Sequence, residues 1–94
     1  MKKKFTKQYK KDIKKINPNN TLKNLIDDIT DKIINNITID SKYNLHKLKG
    51  NLSDYYELHL YPDLLLLYKL DRNNNSLTLA RIGSHSELFK KWFN

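Results

Sequence analysis

Residues 55–83 read YYELHLYPDLLLLYKLDRNNNSLTLARIG, and this stretch decides the fold class. Tyr55–Tyr61 alternates in polarity. Tyr56, Leu58 and Leu60 fall on one side and Tyr55, Glu57, His59 and Tyr61 on the other, the two-residue period of a strand with one buried face. Pro62-Asp63 is turn chemistry, because proline fixes its own φ and aspartate bonds to nearby backbone. Leu64–Leu70 is apolar on both faces and reads as a central strand. Asp71–Asn75 makes a second turn. Ser76–Ile82 follows as a third strand, with Leu77, Leu79 and Arg81 expected on one side and Thr78, Ala80 and Ile82 on the other. Gly83 ends it.

Upstream the period lengthens. Tyr9, Ile13 and Ile16 recur at helical spacing after Thr6, a good N-cap, and Pro18 stops that helix because the residue before a proline avoids helical geometry. A second helix is expected from about Thr21, with Leu22, Leu25, Ile26, Ile29, Ile33 and Ile37 on one face. The short connection makes an antiparallel helix pair. Lys2–Phe5 suits an edge strand, and Ser86–Phe93 a last helical turn carrying Leu88, Phe89 and Trp92. The expected architecture is α+β: an N-terminal strand and a two-helix hairpin packed on a largely antiparallel sheet of about four strands, all in one domain over residues 1–94. One sheet face is covered; the other is left for function.

The 94 residues carry a net charge of +8, unevenly spread. Residues 1–16 hold eight lysines against Asp12, whereas residues 17–63 are slightly acidic. Such a basic field favours a polyanionic partner, nucleic acid above all. There is no cysteine, which excludes disulfides, thiolate metal sites and cysteine nucleophiles. No apolar run has membrane-spanning length, and the lysine-rich start lacks the apolar stretch of a signal peptide, so a cytoplasmic protein without membrane contact is expected.

All three histidines fall in the second half: His46 before the sheet, His59 in the first hairpin strand, His85 after the last strand. Each has a charged neighbour in sequence, Lys47 and Lys49, Asp63, and Arg81 respectively. Three readings are open: unrelated surface residues, a three-histidine metal site, or metal-free cleavage of RNA. The spacings match no zinc motif. RNA carries its own nucleophile, the 2′-hydroxyl, so cleavage needs a base, an acid and a cation beside the phosphate, and imidazole titrates near neutrality.

The segments His46-Lys47-Leu48-Lys49-Gly50, His59-Leu60-Tyr61-Pro62-Asp63 and Arg81-Ile82-Gly83-Ser84-His85-Ser86-Glu87-Leu88-Phe89 resemble, in sequence, order and separation, the YafQ branch of the RelE/ParE toxin superfamily. The resemblance spans nearly the whole chain. It implies a type II toxin that cleaves mRNA in the ribosomal A site, needs no metal or cofactor, and is blocked by a cognate acidic antitoxin. By position it implies His46, His59, Asp63, Arg81 and His85 as catalytic residues and Lys47, Lys49 and Phe89 as RNA contacts. His85 would be the general acid, His46 or His59 the base, Asp63 an orienting carboxylate and Arg81 a phosphate clamp, with Phe89 shaping the nucleotide pocket. Leu64 stands where some relatives have tryptophan, and Tyr56 where the family often has arginine. A ParE-like gyrase inhibitor and a non-catalytic RNA- or protein-binding module are the alternatives on the same scaffold; the three histidines argue against the first.

Overall fold

The computed structural model describes residues 1–92, with side chains described as far as Phe89. The chain runs β1 (Lys2–Phe5), α1 (Lys7–Ile16), α2 (Asn20–Ile34), β2 (His46–Lys47), β3 (Tyr55–Tyr61), β4 (Leu64–Asp71), β5 (Ser76–Gly83) and α3 (His85–Trp92). Five strands form one sheet in the order β1-β5-β4-β3-β2, with β1 parallel to β5 and the other pairs antiparallel. The α+β class and the three-strand meander are as expected. The fifth strand is β2, only two residues long, which places His46 on the sheet rather than in a loop. The expected packing of Trp92 lies outside the described side chains.

The helix ends follow local chemistry. Thr6 Oγ1 accepts the Tyr9 amide N–H at 2.9 Å, capping α1, and its hydroxyl donates to the Ala80 carbonyl at 2.7 Å. Asn19 Oδ1 caps α2 by accepting from the Leu22 amide at 2.9 Å. The second helix stops earlier than its apolar period promised. Asn36 turns left-handed at φ 58°, and the Asn36 and Ile37 amides fold back onto the Ile33 and Lys32 carbonyls. Ile37 is therefore exposed instead of facing the core.

One sheet face carries the main core. Tyr9 and the α2 residues Leu22, Ile26, Ile29 and Ile33 pack on Leu58, Leu60, Leu66, Tyr68, Leu77, Leu79 and Ile82. On the opposite face a smaller patch of Leu65, Leu67 and Ala80 lies under Leu88 of α3. The side of β5 taken by Ile82 differs from strict alternation. Tyr68 pairs with Leu79 and Leu67 with Arg81, so Ala80 is an extra residue. Such a bulge reverses the alternation after it, sending Ile82 inward with Leu77 and Leu79 while Arg81 falls to the side of Leu67.

At the same place β1 runs out, its last pair being Phe5 with Leu79. Beyond that point α1 serves as the edge partner of β5. The buried Asp12 carboxylate accepts the Ile82 amide N–H at 3.1 Å, Arg81 Nε at 2.8 Å and Arg81 Nη2 at 3.1 Å, with Gln8 Nε2 at 3.2 Å. A strand edge beside a helix would otherwise bury an unpaired amide. Among the described residues no helix is long and apolar enough to cross a membrane.

Asp12→Ala would remove the buried carboxylate that the Arg81 guanidinium and the Ile82 N–H share. The expected loss of unfolding free energy is about 3–5 kcal/mol, measured by urea denaturation. A loss below about 1 kcal/mol, the range of an exposed pair, would contradict this role.

Candidate active site

The face of the sheet away from α2 gathers the functional side chains at the β2–β3 edge and the start of α3. The β2–β3 register sets His46 opposite Glu57, and His59 follows two residues along the same strand face. All three therefore point the same way. Glu57 is buried, its side chain 6% exposed, and one oxygen, Oε1, lies 3.3 Å from His46 Nε2 and 3.5 Å from His59 Nε2. His46 Nδ1 is 2.9 Å from the Asn44 carbonyl, which can only accept, so Nδ1 carries a proton.

The third histidine is held separately. Ser84 Oγ accepts the Glu87 amide N–H at 3.3 Å and also lies 3.3 Å from Glu87 Oε1, a side-chain N-cap that starts α3 at His85. Lys15 of α1 pairs with Glu87 and, together with Ser84, holds its carboxyl below the usual range. Asp63, in the β3–β4 turn, receives both His85 Nδ1 at 3.1 Å and the His85 amide at 3.3 Å through Oδ1. These two bonds, the side-chain one first, hold the Asp63 carboxyl below its ordinary value. An ionised Asp63 only accepts, so His85 Nδ1 donates and its Nε2 is the nitrogen left for other work. The His85 ring meets His59 edge-on at 5.4 Å between centroids and lies against Phe89, one helical turn on, at 6.1 Å.

The structure thus brings together His46, His59, His85, Asp63 and Phe89. It separates others. Asp63 serves His85 rather than its sequence neighbour His59. Arg81, expected as a phosphate clamp beside His85, has a side chain only 6% exposed, with Nε and Nη2 committed to Asp12. Lys47 follows His46 in an extended strand and so points to the other face, where its Nζ lies 5.9 Å from the Tyr56 ring centroid. Lys49 is exposed, just before a short 3-10 turn at Gly50–Leu52. Glu57 was not singled out as a functional residue from sequence, although its place two residues before His59 was the available signal.

One ligand atom each from Glu57, His59 and His85 lie within 4.8 Å of one another. Two imidazole nitrogens and a carboxylate oxygen suit zinc or copper. The fold therefore assembles a metal-capable donor set that the histidine spacing did not announce.

Comparison with known proteins agrees with the architecture. A "metal-bound toxin from Helicobacter pylori" superposes with a TM-score of 0.84 at 37% identity, covering 95% of this chain and 99% of that one. The Escherichia coli DinJ-YafQ complex contains a chain that superposes with a TM-score of 0.75 at 28% identity, covering 93% of this chain and 96% of that one. The "mRNA interferase toxin YafQ" of E. coli strain K12 is 31% identical over 86 residues, 90% of this chain and 91% of the relative. Fold and site together define a small bacterial toxin on the RelE-like scaffold. Residues 1–90 match the family described as "Bacterial toxin of type II toxin-antitoxin system, YafQ", and the chain belongs to that family.

The lowered Asp63 carboxyl gives a direct test. A folded value below the unfolded one means that the tether's contribution is complete above the ordinary aspartate range, near 3.9, and is lost only as pH falls through the depressed value. Carbon-detected titration should find Asp63 below that range in the intact protein and back near it in His85→Ala. An Asp63 titration unmoved by His85→Ala would contradict the contact.

Proposed function

We propose that this chain is an endoribonuclease that cleaves mRNA in the ribosomal A site with histidines as acid and base, and that a cognate acidic antitoxin silences it in the cytoplasm. One observation carries the reading: two imidazoles meet edge-on at 5.4 Å, His59 beside Glu57 and His85 beside Asp63. Paired groups with separate electrostatic partners are suited to opposite proton tasks. Family membership supports it, as do the name mRNA interferase for the E. coli relative and the DinJ partner in the E. coli complex.

The mechanism follows from where the nitrogens are free. His59, backed by Glu57, takes the proton of the 2′-hydroxyl, and that oxygen forms a bond to the adjacent phosphorus. The bond from phosphorus to the 5′-oxygen breaks, leaving a 2′,3′-cyclic phosphate. His85 Nε2 delivers a proton to the departing 5′-oxygen, with Nδ1 fixed by Asp63. The imidazolium formed on His59, with His46 on the other side of Glu57, faces the phosphorane charge, and Phe89 borders the nucleotide beside His85. Arg81 acts on this reading by fixing the end of β5 that leads to His85.

A second reading is favoured by the metal-bound H. pylori relative. Glu57, His59 and His85 would then hold a zinc or copper ion, which supplies Lewis acidity toward a phosphate oxygen. The readings differ in their response to chelation, because imidazole nitrogens bound to a metal cannot carry protons. On the first, cleavage persists in EDTA and slows on adding Zn²⁺. Loss in EDTA with recovery on adding Zn²⁺ would support the second.

Primer extension on mRNA after induction, wild type beside His85→Ala, tests the acid. The cleavage rate should fall on the order of 10²- to 10⁴-fold. Undiminished cuts and growth arrest in the variant would overturn the catalytic reading in favour of a binding module.

A further inference from the structure

We propose that the outward face of α1 is a second RNA-contact surface, which grips backbone phosphates without reading sequence. The inference rests on the reading of the chain as an RNA-cleaving toxin and adds a place where RNA is held away from the histidines.

Lys7, Lys10, Lys11 and Lys14 recur at three- and four-residue intervals and so form one stripe, with Lys15 at its border. All five are exposed. Tyr9, Asp12, Ile13 and Ile16 take the opposite side of the helix, with Tyr9 and Asp12 buried and the two isoleucines partly so. Like charges at these intervals repel and weaken a helix, and a carboxylate within a turn is the ordinary relief. None is available here. Asp12 is the only acidic residue among residues 1–26, and the structure turns it inward onto Arg81 and Ile82. Lys15 pairs with Glu87, whereas Lys7, Lys10, Lys11 and Lys14 have no ion-pair partner among the described residues.

A soluble surface is served by mixed charges, and a rigid stripe of one sign is the footprint of a polyanion. The stripe spans about 10 Å along the helix axis, on the order of three nucleotide steps of a helical strand. RNA is favoured over an acidic protein because no apolar or aromatic side chain interrupts the stripe, and protein interfaces are depleted in lysine and enriched in aromatics. The surface is also fixed relative to the cleavage site. Asp12 ties α1 to the end of β5, and Lys15 ties it to Glu87, two residues after His85. RNA lying along α1 is thereby presented at the flank of the histidine cluster.

The test replaces Lys7, Lys10, Lys11 and Lys14 together with glutamine, which keeps helix propensity. Binding is measured in a His85→Gln background against a single-stranded RNA, an RNA duplex and polyglutamate over a salt series. For four lost phosphate contacts the slope of log K against log salt should shrink by roughly three, with a loss of affinity on the order of 10- to 100-fold at low salt. The arm with the larger loss identifies the form of RNA held. In the cleaving protein KM should rise with kcat kept, and circular dichroism should show α1 intact. RNA affinity and slope unchanged in the quadruple variant would overturn the proposal, as would a loss confined to polyglutamate. If the unsubstituted protein binds RNA through these lysines yet cuts none, the cleavage reading fails and this surface stands. If it cuts RNA and the variant binds as before, the surface alone fails.

Discussion

Where β1 gives out beside β5, a buried carboxylate takes its place, and much of the molecule is arranged around that substitution. Asp12 accepts the Ile82 amide that a longer β1 would have paired, and it holds the Arg81 guanidinium brought alongside by the Ala80 bulge. Three consequences follow. The end of β5 is fixed before Gly83, so α3 and His85 start from a defined point. Arg81 is drawn into the structure. And α1, having turned its only acid inward, presents lysine on its outward face. An ion pair this deep contributes little net stability against an apolar replacement, but removing one partner is costly. Its value here is positional.

The functional face divides its histidines between two carboxylates of different character. Glu57 is buried and shared by His46 and His59, whereas Asp63 is exposed and bonded to His85. The buried Glu57 sits between the two rings and sets their spacing. The exposed Asp63 acts chiefly through geometry, fixing one nitrogen of His85 and so defining which one faces the reacting group. Because β3 carries Glu57 and His59 while the β3–β4 turn carries Asp63, one hairpin supplies both partners and sets their separation.

Local chemistry in the sequence was legible to the extent that it is local. The alternation of Tyr55–Tyr61, the apolar run of β4, the Thr6 cap and the stop at Pro18 each depend on neighbours in the chain, and each is found in the structure. The features that escaped depend on register or distance. A two-residue strand has no period to detect, so the pairing of His46 with Glu57 was hidden. A one-residue bulge leaves no mark on composition, yet it moved Ile82 to the helix side of β5. Asp12 and Arg81 stand 69 positions apart, beyond any pattern argument, and the partner of His85 proved to be Asp63, 22 positions away. The metal-capable cluster of Glu57, His59 and His85 escaped for the same reason, since two of its members are strand neighbours and the third arrives through the fold.

Histidines that use the substrate's own 2′-hydroxyl leave a signature on the ends of the cleaved RNA, and those ends are the most direct test. Mass spectrometry of the fragments should find a 2′,3′-cyclic phosphate, or the 3′-phosphate it hydrolyses to, on one side and a 5′-hydroxyl on the other. A substrate with deoxyribose at the cleaved position should remain intact. Fragments bearing 3′-hydroxyl and 5′-phosphate ends, or cutting of the deoxy substrate, would show that water was the nucleophile and contradict the account.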